Sequence, residues 1–280
     1  MNLPLLYITF RQYQVMVETE IFDVHTILTQ WFYAMLEPQP SLIVRQITVR
    51  QEAGNYIMQS EGKVHEAMPS LSETLPRTAG YAYAERMDLL LAVKYEVVMG
   101  LLLVHPELLW FHAGAVANDR GAVVFAAPGG GGKSTLVTQL YQQGWLYLSD
   151  DVLPLELATG NIFPFPQTPR VRQNTGELVP SDRLWEVPKF EVTLDLNTIC
   201  RSPLPIQAIV FPSFDRETQA QISRCSPGTA AMELLRNCIN FTDHKQAAVQ
   251  RICDIVKHLP AFKLSFSNID AAIECLDKIS

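Results

Sequence analysis

Residues 112–151 read HAGAVANDRGAVVFAAPGGGGKSTLVTQLYQQGWLYLSDD. At the centre of this stretch, the segment from Ala127 to Thr135 places four consecutive glycines before Lys133 and Ser134. Glycines let the backbone adopt left-handed angles, so several N–H groups can surround one phosphate without interference from β-carbons. A helix that begins behind the loop adds a favourable dipole. The pattern is that of a P-loop, or Walker A motif, and predicts a site for a nucleoside triphosphate.

The polar residues around this loop match the needs of triphosphate chemistry. Lys133 supplies a cation for the β- and γ-phosphates, and the Ser134 hydroxyl can fill one position of an octahedral Mg²⁺ shell. A carboxylate at the end of a neighbouring strand can complete that shell, and Asp150 and Asp151 are placed for it. We expect ATP and Mg²⁺ as ligands, although the sequence does not distinguish ATP from GTP. The predicted nucleotide-binding residues of the loop are Pro128, Gly129, Gly130, Gly131, Gly132, Lys133, Ser134 and Thr135.

The loop departs from the strict Gly-x-x-x-x-Gly-Lys-Ser/Thr pattern because Ala127 replaces the first glycine. Pro128 biases Ala127 towards an extended conformation, so this residue can end a strand where no positive φ is needed. A flexible turn with a chance Lys-Ser pair is the alternative interpretation of the loop, and a solvated turn is the alternative for Asp150 and Asp151. The strand expected before the loop and the helix expected after it favour the nucleotide site.

From about residue 106 the sequence alternates strand, loop and helix, as in an α/β nucleotide-binding core. Leu108–Ala117 and Ala122–Ala127 are apolar enough for strands buried on both faces, with a turn at residues 118–121 between them. Further predicted features are a helix over Lys133–Gln143, a left-handed cap at Gly144 and a strand over Trp145–Ser149 that places Asp150 at its carboxyl end. We therefore predict a catalytic domain over residues 106–280.

Residues 1–105 have the pattern of a small α+β region that holds no chemical motif, and we expect it to select the substrate. A helix is predicted over Asp23–Leu36, a long buried helix over Glu85–Val104, and a connecting loop over Pro69–Gly80. Short segments with strand character lie at Leu5–Phe10, Tyr13–Val17, Leu42–Arg50 and Tyr56–Gln59.

Composition excludes several classes of function. The chain has 22 basic and 29 acidic residues, a net charge of -7 and no basic run, which disfavours a nucleic-acid partner. Its most apolar segment, Leu89–Val104, is interrupted by Lys94 and Glu96 and is too short to cross a bilayer. The N-terminus lacks the pattern of an export signal. We expect a cytoplasmic protein without membrane or nucleic-acid partners.

The cysteines and most of the histidines carry no recognisable chemistry. Five widely spaced cysteines without a Cys-x-x-Cys pair are typical of free core thiols rather than of a zinc site or a disulfide framework. Among six histidines, only His112 lies near the loop motif. A buried structural role in its strand is the alternative to a role in chemistry for this histidine.

Three segments together resemble the HPr kinase/phosphorylase family and its kinase-like relatives, some of which are associated with modification of ribosomal peptides. They are His112–Val116, the end of the loop from Gly132 to Leu136, and Gly144–Asp151. The resemblance covers residues 108–172 by motif and, more loosely, the strand and helix layout of the chain after residue 208. It implies a P-loop kinase core of the HPr kinase / phosphoenolpyruvate carboxykinase-like type.

The family resemblance also implies roles for single residues. Asp150 would be the base that takes the proton from an attacking seryl hydroxyl, with His112 beside it. Asp151 and Ser134 would face magnesium. Phosphoryl transfer needs mainly alignment, charge neutralisation and one carboxylate that accepts a proton, so these roles agree with the chemistry of the residues. We predict Asp150, His112 and Lys133 as catalytic residues.

Two departures from the family pattern matter for substrate and direction. HPr kinases carry a Glu-Ile-Arg-Gly type signature, associated with phosphorolysis, after the aspartates, whereas residues 163–172 here read FPFPQTPRVR. The N-terminal region shows no likeness to their first domain. Phosphorolysis and HPr itself as substrate are therefore in doubt. In an extended segment Arg170 and Arg172 would point the same way, and we predict that they reach a phosphate.

Three functions remain open from the sequence. We favour an ATP-dependent kinase that phosphorylates a hydroxyl, most simply a serine of a peptide or small protein. A nucleotide-binding regulatory or scaffold module without phosphoryl transfer is the second, and a small-molecule enzyme related to phosphoenolpyruvate carboxykinase is the third. The proline-rich stretch Pro154–Pro188 is expected to form loops at the rim of the site. Members of the family often form oligomers, so the resemblance leaves a homo-oligomer open.

Overall fold

The computed structural model describes residues 3–62, 78–172 and 187–279. The chain divides into two compact units, Met1–Pro106 and Glu107–Ser280, and each mixes strands with helices. In the described ranges, no helix combines the length and the hydrophobicity that crossing a membrane requires.

The described part of the first unit contains a six-stranded sheet and two α-helices. In chain order the elements are β1 (Leu6–Phe10), β2 (Tyr13–Thr19), α1 (Phe22–Phe32), β3 (Leu36–Glu37), β4 (Leu42–Glu52), β5 (Asn55–Gly62), β6 (Thr78–Tyr83) and α2 (Arg86–Leu102). The strand order is β3-β1-β2-β4-β5-β6, in which β2 and β4 run parallel. Side chains alternate across a strand, and the apolar set of one sheet face, including Ile8, Val15 and Ile47, is fully buried.

A buried ion pair lies inside this first unit. Arg45 on β4 donates through Nη1 to Glu96 Oε2 on α2, at 2.9 Å, and to Ser60 Oγ on β5, at 3.0 Å. The Ser60 hydroxyl donates to the same Glu96 oxygen at 2.8 Å. Burial lowers the pKa of Arg45, and the Glu96 carboxylate partly offsets that effect. The three side chains therefore tie the long helix to the middle of the sheet.

The second unit is built on a mixed six-stranded sheet of order β10-β8-β9-β14-β16-β15. Its elements are β7 (Leu108–Phe111), β8 (Ala113–Asn118), β9 (Gly121–Ala126), α3 (Lys133–Gln142), β10 (Leu146–Ser149), β11 (Leu153–Glu156), β12 (Arg170–Arg172), β13 (Lys189–Glu191), β14 (Ile206–Phe214), β15 (Gln221–Arg224), α4 (Pro227–Arg236), α5 (Phe241–His258), β16 (Ala261–Phe266) and α6 (Ile269–Asp277). The strands β9, β14 and β16 are parallel, and the other neighbours in this sheet are antiparallel. Two further antiparallel pairs, β7 with β11 and β12 with β13, lie outside it.

The single strand predicted over Leu108–Ala117 is wrong, because the chain forms two strands that belong to different sheets. The break falls at His112, whose backbone N–H donates to Asn237 O at 2.7 Å. Phe111 forms an isolated bridge with Cys238. Every residue of the two strands is buried except Asn118, the last residue of β8. The apolar pattern of the sequence therefore gives no sign that the strand breaks at His112. His112 therefore lies between β7 and β8 and belongs to neither strand.

Most other predicted elements are present with shifted ends. The helix behind the loop covers Lys133–Gln142 and buries its apolar face, and Gly144 has a φ of 96°, as expected for a left-handed cap. Leu36 is not helical, because α1 is followed by a 3₁₀ turn over Tyr33–Met35 that leads into β3. Gly80 lies in β6, and residues 69–77 of the loop predicted there are outside the described ranges.

The expectation of rim loops over Pro154–Pro188 is also wrong in part, and residues 173–186 of that stretch lie outside the described ranges. Ile162 and Phe165 are fully buried, and Ile162 bridges both Leu155 and Leu204. This proline-rich segment therefore contributes Ile162 and Phe165 to the core. Among the cysteines, all of which are free, Cys253 is exposed, so not every thiol belongs to the core.

Candidate functional site

The glycine loop joins the carboxyl end of β9 to the first turn of α3. Gly130 and Gly132 have φ values of 89° and 93°, which L side chains rarely adopt. A β-carbon on Gly131 would lie 2.8 Å from Ala127 Cβ, and one on Gly132 would lie 2.6 Å from Phe266 Cζ. The backbone therefore requires glycine at three positions of the loop.

At Ala127 and Gly129 the conformation of the loop does not require glycine. Ala127 is buried at the end of β9, and its φ is not positive, so an alanine fits where the strict motif has glycine. A β-carbon on Gly129 would meet no atom within 4 Å. The departure from the Walker A pattern thus leaves the turn intact.

Lys133 begins α3 with its side chain buried inside the loop. Its Nζ donates to Ala127 O, to Pro128 O at 3.3 Å and to His112 Nε2 at 3.1 Å. The N-cap of the helix is Gly132, which has no side chain that could cap the first-turn N–H groups. The amino end of α3 therefore presents a cation and a positive dipole end at one place.

The charges around Lys133 have opposing effects. Burial lowers the pKa of the lysine, the carboxylates of Asp151 and Asp150 raise it, and Lys189 and Arg172 lower it further. These five side chains are therefore close enough to interact electrostatically. Sequence reasoning had placed four of them at the site and missed Lys189.

His112 connects the lysine to the second aspartate. Its Nδ1 lies 3.1 Å from Asp151 O and 3.2 Å from Asp151 Oδ1, while Nε2 faces Lys133. An ammonium group only donates, so Nε2 accepts and the proton is on Nδ1, from which it is donated to Asp151. The ring of His112 therefore contacts Asp151, and its predicted place beside Asp150 stays a prediction.

The two aspartates lie in different environments. Asp150 follows β10 directly and is 6% exposed, whereas the Asp151 side chain is 41% exposed. The main chain at Asp150 approaches β8 so closely that a β-carbon on Gly114 would lie 3.1 Å from Asp150 O. One carboxylate is therefore held inside the protein, and the other keeps access to solvent.

A buried tyrosine lies on the strand that leads to Asp150. Tyr147, on β10, is fully buried, and its hydroxyl donates to Gln167 O at 2.6 Å. Burial raises the pKa of Tyr147 well above its ordinary value, and the nearby Asp150 and Asp151 carboxylates add to this effect. The phenol therefore stays neutral. Sequence reasoning did not find this residue, because an apolar strand position gives no sign of which carbonyl its hydroxyl will bind.

The strands β12 and β13 bring more charge to the site. Arg170 Nε lies 3.4 Å from Glu191 Oε1, and burial lowers the pKa of Arg170 while Glu191 and Asp151 raise it. Arg172 lies opposite Lys189 in the same pair of strands. The predicted phosphate contact of Arg170 thus competes with an ion pair that holds the two strands together.

The chain is similar to a solved structure of the HPr(Ser) kinase/phosphatase from Coxiella burnetii. The two share 13% sequence identity and a TM-score of 0.29, over 60% of this chain and 88% of that chain. No family model and no curated protein matches the sequence.

The two residues predicted to face magnesium carry oxygen atoms, the ligand type that this ion prefers. Mg²⁺ in phosphate sites is held by one or two carboxylates together with phosphate oxygens and water, so a complete protein cage is not needed. Ser134 is half-buried in the first turn of α3, and the half-exposed Asp151 carboxylate offers a hard oxygen ligand. Of the other predicted nucleotide-binding residues, Pro128, Gly129 and Thr135 are exposed to solvent.

Proposed function

We propose that this protein is an ATP-dependent kinase that transfers the γ-phosphoryl group to a hydroxyl, with a serine of a peptide or small protein as the acceptor. The observation that carries the proposal is the buried Asp150 carboxylate, which shares one cluster with Lys133, His112 and Asp151. A protein that only holds nucleotide needs the loop and the lysine but has no use for a buried proton acceptor beside them.

Nucleotide binding would exchange the partners of Lys133. An ammonium group has three N–H donors, and three acceptors surround Nζ: Ala127 O, Pro128 O and His112 Nε2. A phosphate oxygen is a stronger acceptor for a cation than a neutral imidazole, because the hydrogen bond is assisted by charge on both sides. We infer that the lysine leaves the imidazole for the phosphates. The loop N–H groups and the amino end of α3 would stabilise the same negative charge.

Transfer then requires a proton acceptor near the attacking hydroxyl. The hydroxyl oxygen forms a bond to the γ-phosphorus, the bond from that phosphorus to the β–γ bridging oxygen breaks, and ADP leaves. The hydroxyl proton passes to the Asp150 carboxylate. A carboxylate is sufficient for this step, since the transition state of phosphoryl transfer is loose and the proton moves late.

Ser134 and Asp151 would hold Mg²⁺. The ion supplies positive charge that neutralises the phosphate oxygens and orients them. The Nδ1–H of His112, which contacts Asp151 Oδ1, would keep that carboxylate in place. His112 therefore acts in this proposal by positioning Asp151 after Lys133 has turned to the phosphates.

The acceptor class follows from the family resemblance of residues 112–151, which implies a seryl hydroxyl. The stretch after the aspartates lacks the Glu-x-Arg-Gly signature, so we propose the forward kinase reaction and not phosphorolysis. The first unit would select the substrate, because it carries no chemical motif of its own. Phosphorylation by ATP rather than GTP is part of the same proposal.

The direct test is incubation of the protein with Mg-ATP and candidate peptides, beginning with those encoded near its gene, followed by mass spectrometry. A phosphorylated serine in one of them supports the proposal. If ATP binds tightly and stays unconsumed with every acceptor, including water, the nucleotide-binding module becomes the better description.

A further inference from the structure

Gly114 lies between the two halves of the proposed site. It belongs to β8, which packs against α3, the helix that begins with Lys133, and pairs with β10, the strand that leads to Asp150. A β-carbon built on Gly114 would lie 2.8 Å from Val137 Cγ2 on α3. It would also lie 3.1 Å from Asp150 O and 3.2 Å from Ser149 O. The space that a side chain would need at this position is therefore occupied from both sides.

Lack of space, and not backbone conformation, requires glycine at position 114. The φ angle of Gly114 is not positive, and the residue pairs regularly with Phe125 on β9. Non-bonded carbon atoms pack best at about 3.5–4.0 Å, so a contact of 2.8 Å would force a neighbour to move. A glycine inside a strand often marks a place where another backbone approaches closely. Here that backbone is the main chain of Ser149 and Asp150.

The structure of β10 brings the aspartate turn to this place. The register of β10 against β8 shifts by one residue before Ser149, and an extra residue of this kind forms a β-bulge, which re-aims the side chains that follow it. Leu148 O accepts from Phe165 N–H at 3.0 Å. The Ser149 hydroxyl donates to Val152 O, on the far side of the two aspartates. These contacts fix the turn that presses against Gly114.

A methyl group added at Gly114 would separate α3 from the end of β10. Val137 is fully buried and β-branched, so in a helix its side chain has one strongly preferred rotamer and cannot turn away. Among the described strands of the sheet, β8 is paired on both sides, whereas β10 is at the edge. The strand that carries Gly114 therefore has little freedom to move, and the elements on either side of it must give way.

We propose that Gly114 is a positioning residue for phosphoryl transfer, an inference that rests on the proposed function. Its missing β-carbon sets the distance between the helix of Lys133, which would hold the phosphates, and Asp150, which would accept the proton. A misplacement of about 1 Å between reacting groups can lower a rate about a hundredfold. The loop and Lys133 lie on one side of this spacing, so it affects transfer more than nucleotide binding.

The test is Gly114→Ala, studied by single-turnover transfer from Mg-ATP to a peptide that the wild type phosphorylates and by equilibrium binding of Mg-ATP. We expect transfer to fall roughly tenfold to a hundredfold, while affinity for ATP stays within a few-fold of the wild type. The melting temperature should also fall, because the new β-carbon overpacks the core. Unchanged transfer, or a loss explained entirely by weaker ATP binding, would overturn the proposal.

The double variant Gly114→Ala/Val137→Ala separates positioning from stability. The second change removes the closest contact, which is on the helix side, and leaves the contacts with Ser149 O and Asp150 O. We expect its melting temperature to recover to that of Val137→Ala alone, whereas its transfer rate stays below that of Val137→Ala. If transfer recovers together with stability, Gly114 serves helix packing alone and the proposal is wrong.

The matched control is Gly228→Ala, the same change at a glycine with free space. The nearest atom to a β-carbon there would be Ser226 Oγ, at 4.0 Å. Gly228 lies in the first turn of α4, a helix that carries none of the residues assigned to the site. Transfer and ATP affinity should equal those of the wild type. A loss of transfer as large as in Gly114→Ala would show that the spacing is not the cause.

Crystal structures of Gly114→Ala and of the double variant give a measurement that needs no turnover. Both should show the main chain at Ser149 and Asp150 displaced from β8 relative to the wild type. A main chain that stays in place contradicts the spacing role even if the wild type is a kinase. A displaced main chain, in a protein whose wild type phosphorylates no acceptor, supports the spacing role and contradicts the kinase proposal.

Discussion

Two electrostatic effects act on Asp150 in opposite directions. It is almost completely buried, which disfavours the charged form, and it lies in the field of Lys133, which favours it. Tyr147, on the strand that leads to Asp150, stays a neutral phenol because its pKa is raised. A carboxylate in this position is shielded from bulk water, so a hydroxyl that reaches it can transfer its proton without competition from solvent.

We therefore expect Asp150→Asn to lose phosphoryl transfer by roughly a hundredfold to ten-thousandfold while ATP affinity stays within a few-fold of the wild type. The amide fills the same space but cannot accept the proton. Lys133→Ala should show the opposite pattern and lose triphosphate binding itself. Single-turnover transfer and equilibrium binding measure the two effects separately, and Asp119→Asn, in the exposed turn before β9, is the control. Transfer at the original rate in Asp150→Asn would show that the base is another group.

In the first unit, a buried triad of Arg45, Ser60 and Glu96 connects whole elements to one another. Arg45, Ser60 and Glu96 belong to two strands and a helix, and each lies within hydrogen-bond distance of the other two. Removal of one charge leaves the other buried without compensation. Glu96 therefore links α2 to two strands of its sheet.

Glu96→Leu should lower the free energy of unfolding by about 3–5 kcal/mol, because it leaves the Arg45 guanidinium buried without its counter-charge. The double variant Arg45→Met/Glu96→Leu should recover most of that loss. Denaturant unfolding followed by circular dichroism measures both, and Glu61→Leu, at an exposed position of β5, should have a much smaller effect. A similar loss in Glu96→Leu and Glu61→Leu would mean that the ion pair contributes nothing.

The sequence predicts correctly the elements whose structure is determined by residues close together in the chain. The helix after the loop and its cap at Gly144 follow from an apolar face and a left-handed glycine, and both are present. The break at His112 was missed because Asn237, which binds its N–H, lies far along the chain. Lys189 was missed for the same reason, since its partner strand is defined only by tertiary pairing. Motif spacing therefore predicts the glycine loop and the aspartates. The residues that the β12–β13 strand pair contributes can be identified only from the three-dimensional structure.

At the scale of the whole molecule, all the residues proposed to bind nucleotide belong to the second unit. A ligand that binds only the folded site stabilises the structure that contains it, by about 2.7 kcal/mol at a hundredfold excess over Kd. The first unit has its own sheet and its own buried polar cluster. Stabilisation by nucleotide should therefore be unequal between the two units.

Hydrogen exchange measured by mass spectrometry tests this expectation. Mg-ATP should slow exchange most in residues 127–136 and 146–151 and leave most amides of residues 6–62 unchanged. Lys133→Ala is the control and should show no nucleotide-dependent protection. Protection of similar size throughout the first unit would contradict a site confined to residues 107–279.

The contact between Gly132 and Phe266 has a consequence for biosynthesis. The ring of Phe266 fills the space beside the loop, so the loop takes its shape against β16, the last strand in the chain. Domains generally fold as units during synthesis, and contacts between distant parts of the chain form late. We expect a ribosome-bound chain that ends before residue 261 to be unable to retain nucleotide, so the protein would acquire its ligand only when translation of the second unit is complete.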